Sequence, residues 1–296
     1  MKILINRKPI EGPWGGGNNF VKSFCSHAAQ NGHAVIFGFE DDIDVILMQD
    51  PRYNELRISV NEIAQYKLEH PSTKIIHRIN ECDARKNTTD MDPLLKACSK
   101  ISDISVFVSE WIKDYHLSRG WLCNKTAVCY NGVDQLLFKP NAKLNNGKIN
   151  IVTHHWSSNF MKGFDVYEAL DIFVGMNPDF TFTYIGRENG TFKHTRIIPP
   201  TFGKELAAEL GKYDIYISGS RFDPGPNHIL ESLACRLPTY VHHDGGGAVE
   251  LAGVDHSYKS IDELTELLLQ KKFIPNNSYT LIDWKECMEN YLRLMS

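Results

Sequence analysis

Two carboxylates eight positions apart, Asp223 and Glu231, bound the segment Asp223-Pro-Gly-Pro-Asn-His-Ile-Leu-Glu231. Acids on either side of a Gly/Pro turn can address the hydroxyls of a single polar ligand. The sequence predicts a short helix starting near Pro226, because proline suits the first helical turn. Ile229, Leu230, Leu233 and Ala234 then share a buried face. Asn227 and Glu231, four apart, lie on a more polar side and can reach the same ligand. The opening N–H groups of such a helix, around Pro226, Asn227 and His228, together with its positive dipole end, suit a diphosphate. Spacing alone leaves a second reading equally open, with Asp223 capping a turn and Glu231 as a solvated helix residue.

Other fragments carry weaker chemistry. Gly12-Pro-Trp-Gly-Gly-Gly-Asn-Asn19 follows a first strand and precedes a helix, where glycines such as Gly16 and Gly17 let backbone approach a phosphate or sugar. It is neither the dinucleotide fingerprint nor a P-loop. Trp14 can line an acceptor or be an ordinary half-buried aromatic. Ile75-Ile-His-Arg-Ile-Asn80 places His77, Arg78 and Asn80 at a strand's carboxyl end, the edge that faces the ligand crevice in open α/β sheets. Arg78, Asn80, Asp83, Arg85 and Lys86 make a polar patch that either binds an acceptor or is solvated surface. Asp41-Asp-Ile-Asp44 has the Asp-x-Asp form of a metal-dependent site, but its place before a strand predicts a turn.

The elements that must position these groups alternate β with α, which implies parallel sheets covered by helices. Strands are expected at 2–6, 34–39, 45–47, 74–77, 104–108 and 126–128, with helices at 20–31, 57–66, 93–99 and 111–116. A polar stretch at 138–147 reads as a linker. A second series follows, with strands at 149–153, 181–185, 215–218 and 239–242. Its helices are expected at 165–176, 203–210 and 261–271, and a last amphipathic helix at 281–295. The expected domains are 1–138, joined by a carboxyl-terminal helix at 280–296, and 148–279.

At 296 residues the chain is long enough for two cores. A net charge of −4 provides no basic field for nucleic acid. No apolar run approaches the ~20 residues needed to cross a bilayer, so membrane contact is expected to be peripheral at most. The first residues read as a strand rather than a signal peptide. The 7 cysteines are odd in number and lack a Cys-x-x-Cys pair, so reduced thiols and a cytoplasmic location are expected. Four Asn-x-Ser/Thr sequons, at Asn87, Asn124, Asn189 and Asn276, read as chance. His154-His155 and His242-His243 lack the i,i+4 spacing of a helical zinc pair, and no metal is expected.

The acid pair resembles the acid-x7-acid motif of retaining GT-B glycosyltransferases of the family-4 type, also called group 1, with Asp for the usual Glu at the first position. Leu233-Ala-Cys-Arg-Leu-Pro238, Gly245-Gly-Gly247 and Glu250 are similar to that family's helix end and glycine turn. Ser105 to Trp111 and Tyr130-Asn-Gly-Val-Asp134 resemble two further landmarks. Lys162-Gly163 matches the second of two phosphate cations, while Ser157 stands in place of the first. Arg187 and Arg221 are candidate substitutes.

The resemblance implies two Rossmann-like domains facing across a cleft, acceptor side first and donor side second. It implies retaining transfer from a nucleotide-diphosphate sugar to a glycan or lipid-linked hydroxyl, with no metal and no other cofactor. Lys162, Gly16, Gly17, Arg187, Pro226, Asn227 and His228 would then serve the diphosphate. Asp223 and His77 would serve the sugar, Glu231 the ribose, and Gly246 and Gly247 the passage of the chain beside the nucleotide. Trp14, Arg78 and Asn80 would lie toward the acceptor. Rival readings are a catalytically degenerate GT-B partner or sugar-nucleotide-binding subunit, and a GT-B epimerase or hydrolase.

Overall fold

The computed structural model describes residues 1–11, 15–52 and 58–296. The chain divides into two compact units. One comprises Met1–Asp83, Thr88–Gly132 and Trp284–Ser296, and the other Ala84–Asn87 and Val133–Asp283. The polar 138–147 stretch lies within the second unit, where Asn141 N–H donates to Gly211 O and Leu144 N–H to Lys212 O, each at 3.1 Å.

The first unit runs β1 (Lys2–Ile5), α1 (Gly16–Gln30), β2 (Ala34–Ile36), β3 (Val45–Met48), α2 (Val60–Glu69), β4 (Lys74–Ile79), α3 (Met91–Ile101), β5 (Ile104–Phe107), α4 (Glu110–Leu117) and β6 (Thr126–Val128). Its sheet has the order β2-β1-β3-β4-β5-β6, all parallel. β3 is buried at all four positions because helices cover both faces. Leu4, Ile46, Ile63, Ile75 and Cys98 form its core on one side.

Helix α1 begins at Gly16, four residues before the point the apolar pattern marks. Glycine is a poor helix former, so periodicity registers only from Phe20. Asn18 fixes the early start: its side chain accepts from Ile10 N–H at 2.8 Å and donates to Ile10 O at 2.9 Å. Helix α2 starts at Val60 behind a reciprocal Ser59–Glu62 capping box; the expected start at position 57 lies outside the described residues. The Asp41–Asp44 segment is a turn, with Asp42 at φ +60° and Asp44 accepting from Lys2 N–H at 2.6 Å.

The second unit continues β7 (Ile149–His155), α5 (Phe164–Met176), β8 (Phe180–Gly186), β9 (Arg196–Ile198), α6 (Gly203–Leu210), β10 (Ile215–Ser218), α7 (Asn227–Ala234), β11 (Thr239–His242), α8 (Gly247–Ala252), β12 (Ser257–Tyr258) and α9 (Ile261–Gln270). Its sheet, also all parallel, has the order β12-β11-β10-β7-β8-β9. Tyr167, Phe182, Tyr184, Ile217 and Leu264 are buried in one cluster, each worth about 1.5–3 kcal/mol of transfer free energy. The last helix, α10 (Trp284–Met295), starts three residues later than expected and returns to the first unit. There Tyr291 meets Phe20 of α1 edge-on at 4.9 Å.

Candidate functional site

In the second sheet the chain order reverses between β7 and β10, the place where open parallel sheets bind ligands at their carboxyl edge. β7 ends there in His154-His155 and β10 in Ser218. Tyr216 ties the two strands together: its hydroxyl accepts from His154 N–H at 3.2 Å and donates to His154 O at 3.3 Å. The loops that leave these strands carry Lys162 and Asp223.

Those loops touch through glycine. Gly163 has φ +93°, and a Cβ there would stand 2.3 Å from the backbone carbon of Gly219. No side chain fits, and the two loops meet main chain to main chain. This brings the Lys162 ammonium onto Asp223 Oδ2. Ser220 Oγ stands 3.4 Å from both the ammonium and that carboxylate oxygen. The side chains are only 11% and 4% exposed, so this is a buried ion pair. Burial alone would raise the Asp223 pKa; Lys162, then Arg85 and His228, outweigh it and hold the carboxyl well below its usual range. Arg85, carried on the short 84–87 segment of this unit, has Nε 3.9 Å from Asp223 Oδ1. The sequence showed Arg85 only as part of a polar patch, with nothing to connect it to the acid pair.

Helix α7 opens at Asn227 after Pro226, whose side chain makes no capping hydrogen bond. His228 is buried, with Nε2 3.1 Å from Ser218 Oγ. Burial first, and Lys162 next, hold it well below its ordinary pKa, so it is neutral. One turn on, Glu231 Oε2 meets His154 Nε2 at 2.7 Å. The glycine turn packs against Asp223: Asp223 N–H donates to Gly245 O at 3.2 Å, and Gly247 N–H to Asp223 O at 2.9 Å. A Cβ on Gly247 would stand 2.6 Å from Pro224 O, so only glycine allows this closeness. Phe222, just before Asp223, takes φ +51°, a conformation that costs a non-glycine residue energy.

The structure thus gathers Lys162, Asp223, Asn227, His228, Glu231 and Gly245–Gly247 at one sheet edge. The two substitute cations are engaged elsewhere. Arg221 pairs with Asp165 through two bonds of 2.9 and 2.7 Å, and Arg187 lies over the Trp156 ring at 4.1 Å. Ser157 Oγ accepts from Asn159 N–H at 3.2 Å.

The remaining expected residues belong to the first unit. Gly16 and Gly17 form the first turn of α1. Where a Gly17 Cβ would be, Gln49 Nε2, Arg7 Nη1 and Asn80 Nδ2 lie within 2.9, 3.2 and 3.9 Å. His77 is inside β4, with no exposed surface and, among the described residues, no hydrogen-bond partner for either ring nitrogen. Burial, then His116, bring its pKa down to about 3. Arg78 is buried, donates to Asn131 Oδ1 at 2.8 Å and stacks on Phe20 at 4.2 Å. Trp14 lies outside the described residues.

Among the described residues, His242, His243 and Asp244 form a group able to hold a metal ion, their ligand atoms within 4.8 Å of one another. None of the seven cysteines is joined in a disulfide. No described helix is long and apolar enough to cross a membrane.

No protein-family model matches the sequence, and no curated protein matches it. Solved structures do. Sucrose-phosphate synthase from Thermosynechococcus elongatus aligns with a TM-score of 0.72 at 14% identity, over 99% of this chain and 97% of that one. HepE of Anabaena, in complex with UDP and glucose, aligns at 0.73 and 13% identity over 100% and 99%. WaaG, a glycosyltransferase involved in lipopolysaccharide biosynthesis, aligns at 0.61 and 11% identity over 99% and 95%. Such identities speak for the fold alone. Together with the two doubly wound six-stranded sheets, they give this chain the GT-B fold, built from two Rossmann-like units.

Proposed function

We propose that this chain is a retaining glycosyltransferase that moves a sugar from a nucleotide-diphosphate sugar to a hydroxyl of a glycan or lipid-linked acceptor. The observation that carries the reading is the pairing of Lys162 with Asp223 and His154 with Glu231 beside the start of α7, at the switch point of the second sheet. In this reading the anomeric carbon–oxygen bond to the β-phosphate breaks, and the acceptor oxygen bonds to the same face. The departing phosphate oxygen takes the acceptor's proton, so no side-chain nucleophile is needed. Charge building on the diphosphate meets Lys162 and the α7 amides. Asp223 holds sugar hydroxyls and Glu231 the ribose. Side-chain cations neutralise the diphosphate without a metal.

The test is calorimetric titration with UDP, GDP and ADP and their common sugar conjugates, in the absence of added metal. UDP comes first because the HepE structure holds it. The expected result is selective micromolar binding of one nucleotide, weakened at least roughly tenfold in Glu231→Ala. Retention is then read from the anomeric configuration of the product.

A degenerate partner or sugar-nucleotide-binding subunit has one observation in its favour. Ser157 stands where a phosphate cation is expected, and Arg221 is committed to Asp165. Absence of binding to every nucleotide would select the partner, and binding without turnover the binding subunit. Turnover of the sugar nucleotide without acceptor would mark an epimerase or hydrolase.

A further inference from the structure

Glu231 is the residue assigned to the ribose, yet its carboxylate is already half committed. Oε2 is held by His154 Nε2 at 2.7 Å, a contact between residues 77 positions apart. A carboxylate oxygen accepts, so in this contact Nε2 is the donor. His154 Nδ1 is buried without a protein partner. The Nε2–H is thus given to Glu231.

The ring has little freedom to do otherwise. His154 is 7% exposed, its main chain is bonded in both directions to the Tyr216 hydroxyl, and its ring stands edge-on to Tyr216 at 5.5 Å and to His228 at 6.2 Å. The Glu231 side chain remains 21% exposed. One carboxylate oxygen is thus pinned from the strand side, while the group as a whole still reaches the surface.

We propose that His154 is a positioning residue that fixes the Glu231 carboxylate for a vicinal diol, and so sets the preference for ribose over deoxyribose in the bound nucleotide. This rests on the donor-binding reading above and adds to it a residue that the acid-x7-acid motif does not contain. A carboxylate held at one oxygen loses no rotamer freedom when the other accepts a hydroxyl, which is how preorganisation strengthens binding. A site built to hydrogen-bond a hydroxyl also rejects the analogue that lacks it.

The experiment measures dissociation constants for the nucleoside diphosphate that binds the wild type and for its 2′-deoxy counterpart. It uses wild type, Glu231→Ala, His154→Leu and His154→Gln. Leucine keeps the bulk without an N–H, and glutamine keeps a donor. The expected wild-type preference for the ribonucleotide is roughly tenfold. Glu231→Ala and His154→Leu should bring it close to one, mainly by weakening the ribonucleotide, and His154→Gln should restore most of it. A merely structural histidine would lower affinity for both nucleotides equally. A ratio in His154→Leu equal to wild type, or equal ratios in the Leu and Gln variants, would overturn the proposal while leaving donor binding intact. A wild type that binds no nucleotide at all would overturn the donor reading, and this proposal with it.

Discussion

At the carboxyl edge of the second sheet, polar and charged side chains face each other in pairs: Lys162 with Asp223, His154 with Glu231, Arg221 with Asp165. At the corresponding edge of the first sheet, Asp50 holds Arg52, but several buried polar atoms have no hydrogen-bond partner among the described residues. These are both nitrogens of His77, Nε and Nη1 of Arg78, and Oε1 of Gln49. The two sheets share strand number and winding, so the difference lies in the side chains alone. A paired buried charge is costly to create and more costly to break. An unpartnered buried polar atom costs its desolvation and returns nothing to stability. The second edge is therefore rigid and intolerant of single changes, whereas the first holds groups whose removal should stabilise the fold.

The largest expected effect comes from breaking the buried pair. Lys162→Met leaves the buried Asp223 carboxylate with only the longer Arg85 contact, and Asp223→Leu takes the carboxylate away from the buried Lys162 ammonium; each should cost about 3–5 kcal/mol of stability. The double variant removes both charges and should recover most of that loss, without recovering nucleotide binding. Denaturant unfolding of the four proteins closes the double-mutant cycle. The Asp223 pKa is depressed below its ordinary value of 3.8, so its stabilising contribution is present above that pH and is lost as pH falls below it. At neutral pH the cycle should show the full coupling. Additive effects would mean that the two groups do not sense each other, and the contrast between the edges would collapse.

A smaller effect, of opposite sign, is expected at the first edge. His77→Leu replaces a buried imidazole lacking protein partners by a side chain of similar bulk, and should stabilise the fold by about 1–3 kcal/mol. It should also change the response to acid. His77 has a folded pKa of about 3 against an ordinary 6.5, so between those values the unfolded chain binds the extra proton. Stability is then fully present above pH 6.5 and falls as pH drops toward 3, by about 1.4 kcal/mol per pH unit for each such group. His116, lowered to about 4 mainly by burial, adds to the slope down to that pH. Unfolding at pH 7 and pH 5 should show a shallower acid loss in His77→Leu than in wild type. A destabilised variant with an unchanged slope would show that His77 is held by contacts its geometry does not reveal.

The alternation of strands and helices was legible because parallel strands covered on both faces read as short continuous apolar runs, as in Val45–Met48 and Ile215–Ser218. β9 and β12, three and two residues long, carry too few positions for any period to register. α8 has six residues and opens on glycine, so it read only as part of a turn. At the site, Asp223, Glu231, Lys162 and the glycine turn stood out because each lies within a local pattern. His154 and Arg85 did not, since their partners are distant in sequence and spacing holds no trace of a contact that only the sheet creates. One signal for His154 was present: a polar His-His doublet ending an otherwise apolar strand. Testing it only against zinc spacing left its place at the strand's carboxyl edge unused.

The smallest expected effect tests whether charge neutralisation at the second edge is left to side chains. If Lys162 and the α7 amides balance the diphosphate, EDTA should change nucleotide affinity by less than about twofold, because no released ion carried the charge. The place to look for a contrary result is the His242, His243, Asp244 group. Its geometry argues against a tightly bound ion. His242 Nδ1 already accepts from Asp244 N–H at 3.1 Å, and burial followed by the nearby Arg221 lowers its pKa to about 4. A guanidinium close enough to disfavour a proton on that ring disfavours a divalent cation more strongly. Titration with Mn2+ and Zn2+, with and without nucleotide, should therefore give the same affinity in wild type and His243→Ala. A metal-dependent gain in affinity lost in His243→Ala would transfer part of the charge balance to an ion. The second edge would then depend on an outside group as well, and self-pairing would cease to be what separates it from the first.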